Sequence, residues 1–228
     1  AHQRSGGVGG NTIVNDDDLT GSITFQGSDG TQFVESAAIK AEIDNAPAAN
    51  DMPGRLTFHT TADGAASASE RLRITSTGRV GININNPDSY NSSGNNLVLG
   101  ITNNNAGMTI VSSTTNNGHI FFADGTASGA QNRGIIKYEH GNDAMAFNTA
   151  ESERLRITSG GLVGINCTPL AQFHVKTGTD ANILMTTMSS EAAIEVFNDA
   201  GNANVPFRLR ATEHKFFISG DEKLRIDS

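Results

Sequence analysis

Apolar and polar residues alternate along much of the chain, in short runs punctuated by glycine, asparagine and proline. In "ERLRIT", Leu72 and Ile74 fall on one face, with Arg71, Arg73 and Thr75 on the other. A period of two is the signature of a half-buried strand. "STG" follows as a turn, with Gly78 able to adopt a positive φ. "RVGININ" then alternates again, placing Val80, Ile82 and Ile84 inward and Gly81, Asn83 and Asn85 outward. Pro87 stops the ladder, because it has no N–H to donate.

Most of this phrase returns as "SERLRITSGGLVGINCTP" at 152–169, and its opening half returns as "DEKLRIDS" at 221–228. The second copy puts Leu155, Ile157, Val163 and Ile165 inward, with Gly160 and Gly161 in the turn and Pro169 as the stop. The third has Leu224 and Ile226 but no following "VGI", so these two are expected to await a partner strand. The copies begin at Glu70, Glu153 and Glu222, spacings too uneven for a strict solenoid. They predict modules of variable length sharing one closing hairpin: a linker at 1–19, modules at 20–90 and 91–169, and an incomplete module at 170–228.

Each phrase follows another hairpin-like stretch, with Leu56 and Phe58, then Met145 and Phe147, then Phe207 and Leu209 on one face. Further short strands are expected at 23–25, 97–101, 108–111, 120–123, 173–175, 183–185 and 194–197. "FVESAAIKAEID" contains good helix formers, yet Ile39, Ala41 and Ile43 alternate with Lys40 and Glu42, which favours a strand. The fold class expected is all-β, built of tandem small hairpin or sandwich modules.

Such strands pose a burial problem. Each offers two or three inward apolar side chains, and at ~25 cal/mol per Å2 one thin sheet does not offset its ordering entropy. Its edges invite further pairing. Three copies sharing an axis would cover both faces and edges, so a homotrimer is expected.

Composition agrees with short strands. Hydrophobic residues make up 36% and aromatics 6%, with no Trp and 25 Gly, which is thin for one large core. The net charge of −8 leaves no basic patch for a phosphate backbone, so nucleic acid is not an expected partner. No apolar run approaches the ~20 residues of a membrane span, and no signal peptide is visible at Ala1. The lack of an initiator Met and the ending inside a repeated phrase suggest a processed or partial chain. Cys167 is the only cysteine and reads as a small packing residue.

Candidate chemistry is sparse. Glu70, Arg71, Arg73, Glu153, Arg154 and Arg156 form a charged stripe, with Glu222, Lys223 and Arg225 in the third copy. It could meet an anionic glycan, but the adjacent Glu residues dilute it, so cross-strand or intersubunit ion pairs are the reading adopted. The histidines stand singly, without a His-x-His pair, and His140 is expected to be exposed in a turn. "NDDDLTG" lacks calcium-loop spacing and reads as a polar linker. No nucleophile elbow or His-Glu-x-x-His is present, so no enzyme activity, metal or cofactor is expected. A polysaccharide depolymerase using two of Asp124, Glu139 and Asp143 is kept as an alternative.

Two stretches resemble a known family. "GSITFQGSDGTQFVESAAIKAEIDNAPAANDMPGRLTFHTTADGAASASERLRITSTGRVGI" at 21–82 is similar to a module of phage tail fibre and tail-spike-like proteins, especially of marine and cyanobacterial phages. "GHIFFADGTASGAQNRGIIKYEHGNDAMAFNTAESERLRITSGGLVGI" at 118–165 resembles a second module of the same fibres. There a "GNVGIGTTSP"-like phrase closes each module. "VGININNP" and "VGINCTP" match its frame, with Asn and Cys where Gly and Thr are usual, and "QFHV" resembles the strand that follows.

The resemblance implies a virion structural protein, an elongated, homotrimeric, all-β fibre segment with intertwined chains on an external appendage. Its implied partners are its own copies and other tail or baseplate proteins. Its implied work is mechanical support of host attachment, with a head or baseplate fibre as an alternative position. Many relatives end in a self-cleaving chaperone domain, and nothing like it occurs in these residues. A host-surface glycan is a further candidate partner, met by Asn-rich loops at 103–105 and 116–117 in a receptor-recognition module.

Overall fold

The structure is a computed structural model that describes residues 11–101, 103–207, 213–218 and 221–227. It is all-β, with two single-turn 3-10 helices at Pro87–Ser89 and Ala130–Asn132 among the described residues. The chain divides into two units, Ala1–Thr109 and Ile110–Ser228.

The first unit is a sheet of six strands in sequence order: β1 (Leu19–Ser28), β2 (Phe33–Ile43), β3 (Gly54–Thr61), β4 (Ala68–Ile74), β5 (Val80–Ile82) and β6 (Leu97–Leu99). All neighbours are antiparallel except β5 and β6, which run parallel. The stretch that could have been a helix is β2, its β-favouring alternation prevailing over propensity. The acidic stretch read as a linker is ordered: Ile43 donates its N–H to Asp18 O and accepts from Asp17 N–H. It lies beside buried Val14 and Ile43.

The second unit holds a sheet of eight strands, again in sequence order: β7 (Asn117–Phe122), β8 (Gly134–Glu139), β9 (Ala144–Thr149), β10 (Ser152–Ile157), β11 (Val163–Ile165), β12 (Phe173–Gly178), β13 (Ala181–Met188) and β14 (Glu191–Phe197). Here β11 and β12 are the parallel pair. The sheet therefore runs on past Pro169, and β6 joins the first sheet. A separate pair, β15 (Glu213–Ile218) and β16 (Asp221–Asp227), contains the third copy of the phrase. The strand expected at 108–111 does not form; Ile110 instead lies over Gly118 of β7. Phe207 is outside any strand, and Leu209 lies outside the described residues.

Register shows β7–β12 repeating β1–β6. In the first sheet Ile23, Ile39, Phe58, Leu72, Ile82 and Leu99 stand opposite one another across all six strands. In the second, Ile120, Ile136, Phe147, Leu155, Ile165 and Val175 form the matching rung, which continues through Ile183 and Val196. Because side chains alternate with period two, each rung occupies one face of its sheet.

The parallel returns are short. A three-residue strand is only ~10 Å long, so a brief loop can carry the chain back to pair in parallel without a helix. Residues 166–172 suffice between β11 and β12. The chain reverses at a left-handed asparagine, Asn83 (φ 54°) or Asn166 (φ 58°), a residue that tolerates this region. The reversal lays Ile84 O within 2.5 Å of where a Gly81 Cβ would sit, and Cys167 O closer still to that of Gly164. Glycine is required there. Ile84, read as inward with Val80 and Ile82, instead packs against Gly81 on the opposite face. The left-handed turn at Asn83 breaks the alternation.

Candidate functional site

The two full copies of the phrase have one architecture. Each hairpin turns through three residues, closed by Gly78 N–H to Thr75 O and Thr75 N–H to Arg79 O, or Gly161 N–H to Thr158 O and Thr158 N–H to Leu162 O. Gly78 (φ 80°) and Gly161 (φ 78°) hold the left-handed position of a bulged three-residue turn. Gly160 occupies the position of Thr77 and has no such requirement.

Each copy also carries a register shift. Phe58 pairs with Leu72 and His59 with Glu70, so Arg71 is the extra residue. Arg154 is the extra residue between the Phe147–Leu155 and Asn148–Glu153 pairs. The third copy shifts alike: Phe216 pairs with Leu224 and Phe217 with Glu222. A bulge of this kind brings residues three apart to the same face. Arg73 donates to Glu70 through Nε (2.6 Å) and Nη2 (2.8 Å). Arg156 meets Glu153 through the same two atoms, both at 2.7 Å. The bulged arginines are solvent-exposed, and each donates Nε to a threonine hydroxyl, Thr60 or Thr149, at 3.2 Å. Their carbonyls accept the N–H of Asn83 and Asn166 (2.9 and 3.0 Å). Bulge and reversal are thereby tied together.

The expected charged stripe thus holds two kinds of arginine. Arg71 and Arg154 lie outside the ion pairs, while Arg73 and Arg156 are paired within their own strand. The networks extend sideways. Arg156 reaches over Ala146, which is fully buried, to Glu139 of β8 (2.9 and 3.2 Å), where Lys137 also pairs (2.5 Å). Only a small residue at Ala146 leaves room for that reach. These hydrogen bonds, Arg156's foremost and Lys137's next, hold the Glu139 carboxyl down at about 2. In the first sheet Arg55 is ringed by Glu42 (3.1 Å), Asp44 (3.5 Å), Asp17 (2.5 Å) and Asp16 (3.8 Å). The charges of these networks are therefore paired within their own sheets, above the small buried residues Ala38, Thr57, Ala144 and Ala146, while His59 Nδ1 and Asn148 Oδ1 are buried without a hydrogen-bond partner among the described residues.

The apolar faces are the reverse. Of the expected module core, Leu72, Val80, Ile82, Leu155, Val163 and Ile165 are only half-buried, while Ile74 and Ile157 remain 37% and 38% exposed. Ile23 (59%), Phe25, Leu56, Leu97, Met185 and Ile194 are exposed on the same faces. Of Leu224 and Ile226 the strand and its register are described: Leu224 faces Phe216 and Ile226 faces His214.

The histidines take separate roles. His174 is buried and accepts Leu170 N–H at Nδ1 (3.3 Å), so Nε2 carries the proton toward Asn182 Oδ1 (3.0 Å). Asn182 in turn donates to Asp199, whose carboxylate also meets Lys176 (2.6 Å) and is held below its ordinary range. His140, expected in the open, is half-buried edge-on to Tyr138. Among the described residues no group of His, Cys, Asp or Glu is arranged to hold a metal. Cys167 is half-buried beside His174 O, and burial pushes its thiol up.

No family model and no curated protein matches the chain. Solved structures similar to it include the following two. One is the carboxy-terminal domain of the bacteriophage T5 L-shaped tail fibre, at 11% identity and a TM-score of 0.40, over 90% of this chain and 99% of that one. The other is that domain with its intra-molecular chaperone domain, at 10% identity and a TM-score of 0.39, over 100% of this chain and 68% of that one.

Proposed function

We propose that the chain is a structural segment of a phage tail fibre, assembled as a homotrimer on an external virion appendage, and that its work is mechanical support of host attachment. The observation that carries this reading is the continuity of the apolar rungs. Each spans every strand of its sheet, and one chain leaves it open, whereas the opposite polar face is closed by its own ion pairs. Burying an exposed Ile or Phe yields ~1.5–3 kcal/mol, and a row of them is incompatible with a solvated monomer surface of ordinary patch size. Copies of the same chain supply matching rows by symmetry. The two full copies of the phrase, which resemble the closing phrases of such fibres, carry their rung residues at the same register, Leu72 with Ile82 and Leu155 with Ile165.

Native mass spectrometry of the chain is the test. A mass of three chains supports the reading, and a stable, soluble monomer at micromolar concentration overturns it. The role proposed is non-catalytic: Glu70 with Arg73, and Glu153 with Arg156, are engaged in pairing one another.

A further inference from the structure

The polar face of the second sheet carries one feature that the ion-pair networks do not account for. At the edge strand β7, Phe121 is 54% exposed on the face opposite the apolar rung, with the His119 ring stacked beside it (centroids 4.9 Å apart, 17° between planes). A depression of about 650 Å3 opens there, lined by Phe121, Ser128, Gly129, Gln131, Asn132 and Glu151. The 123–133 loop is fixed at this wall by Gln131 Nε2 donating to Thr126 O (2.6 Å) and by Asp124 N–H to Ala130 O (2.9 Å). Among the described residues none donates to Gln131 Oε1. Glu151 leans its carboxylate against the bare α-carbon of Gly129.

Glu151 stands there at a backbone cost. Ala150 (φ 47°) and Glu151 (φ 65°) form the two-residue turn between β9 and β10, with both residues left-handed, where Asn-Gly would rest more easily. Ser189 (φ 48°) and Ser190 (φ 71°) make the same turn between β13 and β14, so the backbone positions Glu151 here without itself marking a site.

We infer that this depression is a binding site for neutral oligosaccharide. An exposed aromatic ring offers a flat apolar surface to the C–H face of a pyranose. A carboxylate accepts two hydroxyls at once, and side-chain amides both donate and accept. The lining contains no unpaired cation, and the net charge is −8, which disfavours uronates and sialates. The site differs from the Asn-rich loops at 103–105 and 116–117. The inference rests on the reading of the chain as an external fibre segment, where such a site would face a host surface.

The full chain is titrated with cellohexaose, maltohexaose, galactohexaose and chitohexaose, and with oligogalacturonate and oligosialic acid, by saturation-transfer NMR and calorimetry. At least one neutral oligosaccharide is expected to bind, with Phe121→Ala weakening it about tenfold and Glu151→Gln weakening it measurably. The acidic sugars are expected not to bind. Circular dichroism melts identify any variant that fails to fold, and Gln131→Ala on the surface loop serves as the second probe. Silence from all the neutral sugars, equal binding of the acidic ones, or wild-type affinity in Phe121→Ala and Gln131→Ala overturns the inference. Native masses are recorded on the same samples: loss of the trimer with sugar binding intact counts only against the assembly, and a trimer without sugar binding only against the site.

Discussion

Glu70 and Arg73 lie three residues apart in one strand, yet meet on one face through two hydrogen bonds of 2.6 and 2.8 Å. Simple alternation would separate them. The extra residue at Arg71 reunites them, and the same displacement at Arg154 reunites Glu153 with Arg156. Deleting Arg71 should restore plain alternation and move Glu70 away from Arg73. It should also remove the carbonyl that accepts Asn83 N–H. A loss of ~2–3 kcal/mol is expected in urea unfolding, against under 1 kcal/mol for Arg71→Ala, which keeps the backbone.

Gly81 and Gly164 are expected to reject alanine for reasons of space. A Cβ would meet backbone carbonyls, Ile84 O or Cys167 O, that cannot swing aside. Each substitution should cost ~2–3 kcal/mol. Gly78→Ala meets open space but holds φ at 80°, so its cost should be the ~1–2 kcal/mol of left-handed backbone alone. Equal melting temperatures for Gly81→Ala and Gly78→Ala would contradict the close approach.

Much of this was legible in the residues and some was not. Period two placed Leu56, Phe58, Leu72 and Ile74 on one face correctly, because alternation is a local property of an extended chain. The hairpin turn was legible from Gly78. The bulge at Arg71 was not, because a register shift is defined by the partner strand and "ERLRI" alternates well without it. Ile84 was misplaced because the alternation was carried through Asn83, whose left-handed turn ends it. Asp16 and Asp17 read as linker because their partner, Arg55, is distant in sequence. The depression at Phe121 was missed for a similar reason: Glu151 and Gln131 reach it from separate loops.

Glu139 should make stability depend on pH. Its carboxyl is held at about 2, below its ordinary 4.5, by Arg156 first and Lys137 next. A depressed folded value means that the contribution is fully present above the unfolded value and is lost as pH falls through the folded one. Glu139→Gln should therefore unfold more easily than the native chain at pH 7, by about 2 kcal/mol. The gap should narrow between pH 5 and pH 2. A gap that stays constant over that range in urea titrations would refute the assignment.

Ile157→Asp tests the open face. In a single chain the side chain is 38% exposed, so the substitution should change monomer stability little. In an assembly it buries a charge, and trimers should disappear from native mass spectra. Ser159→Asp, exposed in the adjoining turn, is the control. Trimers unaffected by Ile157→Asp would mean that this face is not the one covered.

The turn at Ala150 and Glu151 predicts a conflict between stability and binding. Both residues hold positive φ, which costs ordinary side chains ~1–2 kcal/mol each. Replacing the pair by Asn-Gly should relieve most of that cost, because this dipeptide suits a turn with both central residues left-handed. The double variant Ala150→Asn/Glu151→Gly should therefore melt several degrees higher. It also removes the carboxylate from the depression, so a neutral oligosaccharide should bind it more weakly than the native chain. Ala150→Asn alone separates the two effects: it should stabilise the turn and leave binding unchanged. A double variant that melts no higher would show that the left-handed turn is not under strain.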